Sequence, residues 1–219
     1  MTLNVLWLQS GGCGGCSMSL LCADTQDFAA MLRGAGLHLL WHPALSLEDA
    51  RGLPGVLDDC LQGRTPLDVL CVEGAMLRGP HGSGRFHQLA GTGRAMIDWV
   101  RDLAPLAQQV LAIGSCAAWG GVTAGGTNPT DACGLQFEDD RPGGLLGSAF
   151  RSRAALPVVN VAGCPTHPDW VLETLMSISA GLLTPNELDS LARPRFYADQ
   201  LAHHGCNRNE YYEYKASAI

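Results

Sequence analysis

The chain has 219 residues, of which 47% are hydrophobic and 16% charged, enough apolar material for a real core and too much for a disordered segment. A net charge of −7 leaves no basic footprint, which excludes nucleic acid as an expected partner. No apolar run approaches the ~20 residues that cross a bilayer, which excludes a membrane span.

The start, Met1-Thr-Leu-Asn-Val5, runs directly into a predicted strand at 3–9. It carries no basic n-region, h-region or twin-arginine signal, so a cytoplasmic location is expected. The strand is short, apolar and followed by glycine, as in a buried parallel sheet. Ser17 is the expected cap of a helix over 18–32, ended by Gly34-Ala-Gly36. A second strand covers 37–41. Ser46 opens a helical stretch with Glu48 and Asp49 in its first turn, interrupted near Gly52-Leu-Pro54 and resuming to Leu61. A third strand, 67–73, ends at Gly74. Residues 78–93 form a long glycine-rich loop of the kind that is functional or covered by a partner. A helix over 92–106 leads to a fourth strand, 109–113, and residues 120–148 are again rich in Gly and Pro. A fifth strand covers 157–161, and an amphipathic helix over 168–182 has Pro at its first turn. Thr184-Pro-Asn-Glu187 reads as a capping box for one more helix.

This order predicts an α/β fold, a flavodoxin-like doubly wound parallel sheet with a short C-terminal helical or irregular extension. The boundary is drawn so that residues 1–183 form the sheet domain and 184–219 the extension.

Three glycine-rich loops each deliver cysteine from a strand end: Gly-Gly-Cys13-Gly-Gly-Cys16, Gly114-Ser-Cys116 and Gly163-Cys164-Pro165. In open α/β sheets, sites form outside the carboxyl ends of the strands, so the rule unites cysteines roughly 150 residues apart. Cys13-x-x-Cys16 alone fits a thioredoxin-type redox pair or half a zinc site. With Cys116 and Cys164 it becomes a four-thiolate set suited to a cubane iron–sulfur cluster, with structural zinc as the alternative. Nine cysteines in a reducing compartment favour metal or redox chemistry over disulfides. Low charge with 27 glycines points to a surface covered by an obligate partner. Cys22, Cys60, Cys71 and Cys133 are expected in core packing, with no specific assignment for Cys133. Trp119 and Trp170 are expected to keep water from the cysteine site. His167 fits a helix-entry histidine bonding local backbone, with donation to a cluster sulfur or proton transfer as the other reading. Glu73, at the same sheet edge, fits either a proton relay or a strand-end carboxylate bonding loop amides.

Leu6-Trp-Leu-Gln-Ser-Gly-Gly-Cys-Gly-Gly-Cys16, Gly114-Ser-Cys-Ala-Ala-Trp-Gly-Gly-Val122 and Asn160-Val-Ala-Gly-Cys-Pro-Thr-His-Pro168 resemble the [NiFe]-hydrogenase small subunit. Leu70-Cys-Val-Glu-Gly74, Gly84-Arg-Phe-His87, Phe196-Tyr-Ala-Asp199 and His203-His-Gly-Cys-Asn-Arg208 narrow the resemblance to the cytoplasmic regulatory, hydrogen-sensing members. The resemblance implies that Cys13, Cys16, Cys116 and Cys164 hold one proximal [4Fe–4S] cluster. It further implies that a separate large subunit carries the nickel–iron site, and that this chain relays electrons from hydrogen oxidation. In that family the Glu matching Glu73 lies near the interface with the active site. Gly12 and Gly14 stand where oxygen-tolerant relatives carry extra cysteines. His203 and Cys206 match two ligands of a distal cluster. The remaining distal ligands and all medial ones are missing from the sequence, so the pair reads as a remnant, the start of a truncated cluster domain. The implied assembly is a heterodimer or a dimer of heterodimers, with a signalling histidine kinase as a further partner. A metabolic cytoplasmic uptake hydrogenase is the alternative. More distant is the cluster subunit of a complex I-like quinone reductase, whose cluster loop carries adjacent cysteines, unlike Cys13-Gly-Gly-Cys16.

Overall fold

A computed structural model describes residues 2–23, 28–46 and 51–200. Five parallel strands form the central sheet: β1 (Leu3–Gln9), β2 (Leu37–Trp41), β3 (Val69–Glu73), β5 (Gln109–Ile113) and β9 (Val159–Val161). Their spatial order is β2-β1-β3-β5-β9, the flavodoxin-like 2-1-3-4-5 sequence of a doubly wound sheet. Short antiparallel pairs lie outside it: β4 (Met76–Leu77) with β6 (Ala132–Cys133), and β7 (Phe137–Glu138) with β8 (Arg141–Pro142).

Alternating side chains of the central strands bury on opposite faces. Leu6, Leu8, Leu70, Val72, Val110 and Ala112 face one core, with Leu57 of α3 (Leu53–Leu61) and Val100 of α4 (Met96–Leu103). Val5, Trp7, Val69, Cys71, Leu111 and Ile113 face the other, with Val171, Leu172 and Leu175 of α7 (Pro168–Ser179). The sheet is thus covered on both sides, as its apolar strands require.

The ladder registers keep the strand ends level. Gln9 pairs with Glu73, Glu73 with Ile113, and Ile113 with Val161. The cysteine-bearing loops therefore leave the sheet at one height. β3 begins at Val69 rather than 67 because the Asp68 carboxylate takes the Asn4 N–H at 2.7 Å in place of a ladder bond.

Three local expectations are corrected. The helix expected over 18–32 is two pieces, α1 (Gly15–Leu20) and α2 (Phe28–Gly34); residues 24–27 between them are outside the described set. Ser17 lies inside α1 rather than capping it, and Gly14, at φ 73°, holds the N-cap position without a side-chain cap. Thr184 makes no side-chain cap, and only a three-residue 3-10 turn, Pro185–Glu187, follows it. Ser46 accepts the His42 N–H at 2.7 Å; the expected Glu48 and Asp49 turn lies outside the described residues.

β9 is an edge strand, and the chain beyond it covers that edge. Asn160 donates from N to Ala192 O and from Nδ2 to Leu191 O, at 2.8 and 2.7 Å. Tyr197, in the single turn α8 (Arg195–Ala198), donates its hydroxyl to Asn160 O at 2.7 Å and accepts from Ala162 N at 3.1 Å. Its ring stacks on Trp170 with centroids 4.3 Å apart. The strand that ends in Gly163-Cys164 is thereby held on its open side.

Candidate metal centre at the sheet edge

The four cysteines of the glycine loops come together. Cys13, Cys16, Cys116 and Cys164 line one open recess, together with Glu73 and Ile113. Cys13 and Cys164 are exposed, and Cys16 and Cys116 half-buried. Cys16 starts from the first turn of α1, and Cys116 from α5 (Gly114–Trp119), which begins directly at the end of β5. Cys164 follows Gly163, which takes φ 145°.

The glycines are needed here because sulfur lies against bare backbone. A Cβ at Gly114 would sit 2.4 Å from Cys16 Sγ, and one at Gly121 2.8 Å from Cys116 Sγ. Both residues also have positive φ, 83° and 55°, a region that favours glycine. The backbone amides of Thr166 and Val122 lie near the Cys16 and Cys116 sulfurs and favour their charged forms.

Burial first, then Glu73 and the neighbouring thiols Cys116 and Cys13, push the Cys16 thiol up to about 11. Burial and Cys164 raise Cys116 in the same way. Four crowded thiolates are unfavourable alone and favourable around a cationic centre. Among the described residues no three His, Cys, Asp or Glu side chains gather tightly enough for a single ion. A cubane places one thiolate on each of four irons, so its ligands stand around a larger object than one zinc ion. The recess, the close glycines and the amides near sulfur fit such a group.

Glu73 is buried at 3% exposure and accepts four hydrogen bonds. Oε1 takes the backbone N–H groups of Cys16 and Ser17, each at 3.1 Å. Oε2 takes Ser17 Oγ–H at 2.5 Å and Trp7 Nε1–H at 3.2 Å. A carboxylate offers about four lone-pair sites, and all four are used. Glu73 thus supplies the cap that α1 lacks locally, from a strand more than fifty residues away.

Behind Ser17 lies His42, 1% exposed, which the residue pattern did not single out. Its Nε2 is 3.3 Å from Ser17 Oγ, its Nδ1 accepts Ala44 N–H at 3.1 Å, and its ring packs on Trp7. Only the alternation of β2 and the following turn hinted at it. Burial lowers its pKa from 6.5 to about 4. The unfolded chain therefore binds this proton between pH 6.5 and 4 and the folded chain does not, so stability falls as pH drops through that window. Between pH 7 and 5 His42 should cost about 2 kcal/mol. Denaturation at both pH values should show that loss in the native chain and its absence in His42→Gln.

Other expected positions fall as follows. Cys60, Cys71 and Cys133 are buried, Cys133 in β6 with its thiol on Met76 O at 3.7 Å. Cys22 is exposed rather than in the core, two residues past the end of α1 at Leu20. His167 stands at the entry of α7, its ring 5.4 Å from Trp170 and 3.9 Å from the Asp169 carboxylate. Trp170 packs between His167 and Tyr197. Trp119 is half-buried and lines a separate hollow with Gly121 and Asp139. His203 and Cys206 lie outside the described residues.

A family model described as NADH ubiquinone oxidoreductase, 20 Kd subunit, matches residues 13–178, and the chain belongs to that family. Its relatives there are hydrogenase small subunits. The F420 non-reducing hydrogenase II small subunit of Methanosarcina mazei is 31% identical over 96% of this chain and 58% of its own length. The hydrogenase-2 small chain of Escherichia coli K12 is 32% identical over 95% of this chain and 51% of its own. Among solved structures, the actinobacterial-type NiFe-hydrogenase from Ralstonia eutropha H16 superposes with a TM-score of 0.81 at 32% identity, covering 97% of this chain and 64% of that one. The recombinant [NiFeSe] hydrogenase from Desulfovibrio vulgaris Hildenborough gives 0.78 at 25% identity, covering 98% of this chain and 76% of that one. The chain thus spans between half and two thirds of the length of the curated relatives named here. No helix among the described residues is long and apolar enough to cross a membrane.

Proposed function

We propose that this chain is the electron-transfer small subunit of a [NiFe] hydrogenase, with Cys13, Cys16, Cys116 and Cys164 holding one proximal [4Fe–4S] cluster. The observation that carries this reading is the convergence of four cysteines from three loops on one recess. Bound there, the cluster supplies one-electron storage between a large-subunit nickel–iron site and an acceptor. The chain's own residues set its surroundings. Gly114 and Gly121 admit the sulfurs, the Thr166 and Val122 amides lie near them and favour their charged forms, and Glu73 fixes the loop that carries Cys16. With four donors already on its carboxylate, Glu73 is better suited to hold that loop than to relay protons.

The large subunit is proposed to cover this edge. Support comes from exposed apolar side chains beside the cysteine loops: Met18, Leu21 and Val122, the last 83% exposed. Cys164→Ser is expected to lose the cluster and weaken subunit association. Full iron and sulfide per chain in that variant would refute the ligand assignment.

We further propose that the complex acts in hydrogen sensing in the cytoplasm, signalling to a histidine kinase; the narrower sequence resemblance supports this. The names of the Methanosarcina relatives favour a metabolic hydrogenase as the second reading. Substantial hydrogen-dependent dye reduction by the purified complex would decide for the metabolic role.

A further inference from the structure

His42 is remote in sequence from every cysteine of the recess, yet it sits one side chain behind the Glu73 cap. Its ring is held on all sides. The Ala44 N–H occupies Nδ1, the turn bond from His42 N to Ser46 Oγ fixes the backbone, and Trp7 lies against the ring face. With Nδ1 accepting, the proton of the neutral ring is on Nε2, facing Ser17 Oγ. A serine hydroxyl has one proton. An incoming N–H on its lone pair leaves that proton for Glu73 Oε2, where the contact is 2.5 Å. Chained donors of this kind polarise one another in a buried setting. The same carboxylate holds the Cys16 amide through its other oxygen.

We propose that His42 is a positioning residue for the cysteine recess: acting through Ser17, it orients the Glu73 carboxylate beside Cys16 and strengthens the hydrogen bond that screens its charge, and so tunes the reduction potential of the group held there. This rests on the cluster reading above. Removing the His42 donor leaves the Ser17 hydroxyl unpolarised and less firmly placed on Glu73, leaves the carboxylate charge less compensated, and favours the oxidised state of a neighbouring cluster. The potential then falls.

The test uses the full chain purified anaerobically with its large subunit, with iron and sulfide counted and the midpoint potential read by EPR-monitored titration. His42→Leu and Ser17→Ala are each expected to lower the reduction equilibrium constant at least threefold, about 28 mV for a one-electron couple. The double variant should shift no further than the larger single one, because the two residues act in series. His42→Gln, which can place an N–H near the Nε2 position, should restore the native potential, and His42→Asn should not. If His42→Leu does not fold, the contrast between Gln and Asn with Ser17→Ala decides. Unchanged potentials and EPR spectra in loaded variants, or additive shifts in the double, would overturn the inference. A native chain without iron and sulfide would overturn the cluster reading and this inference with it.

Discussion

Alanine in place of Glu73 is expected to destabilise the fold by on the order of 5 kcal/mol, since each buried donor left without an acceptor costs roughly 1–3 kcal/mol. Four donors lose their partner: the amides of Cys16 and Ser17, the Ser17 hydroxyl and the Trp7 indole. Trp7 is fully buried and cannot turn to water. A domain of this size has about 5–15 kcal/mol in total, so the variant should sit at the edge of folding. Glu73→Gln keeps one acceptor oxygen but turns an NH₂ toward donors, and should lose roughly half as much. Urea denaturation of the three proteins measures the order directly. Equal stabilities would mean the carboxylate is not the cap of α1.

Gly114→Ala is expected to abolish occupancy of the recess. The added Cβ would lie 2.4 Å from Cys16 Sγ, and the residue would be strained at φ 83°. The Cys16 thiol must swing away from the recess or the backbone around it must shift, and either displaces one of the four sulfurs. By contrast Gly82→Ala, also at positive φ but with open space around its Cβ, should cost stability only. Iron per chain in the two variants separates loss of site geometry from backbone strain. Native iron content in Gly114→Ala would show that the loops tolerate a displacement the close contact forbids.

Much of the fold was legible because its strands are short, apolar on both faces and closed by glycine or a turn. Leu3–Gln9, Leu37–Trp41 and Gln109–Ile113 match the expected bounds for that reason. That the cysteine loops meet was legible from the strand-end rule, while the level registers that bring them to one height are seen only in the structure. What was not legible depends on contacts across the sheet. Ser17 has the chemistry of a cap, yet the cap of α1 is Glu73, brought beside it by the pairing of Gln9 with Glu73. His42 had no motif to announce it. Its place emerges only when β2 lies beside β1 and brings the ring onto Trp7.

The central proposal is that four cysteines from three loops hold a single cubane. Counting iron and acid-labile sulfide on the anaerobically purified complex, with nickel measured alongside, tests it most directly. The account predicts about four irons and four sulfides per chain beyond the active-site iron, and their loss in each of the four single cysteine-to-serine variants. Stoichiometric zinc without sulfide, or full iron and sulfide in any of those variants, would contradict it.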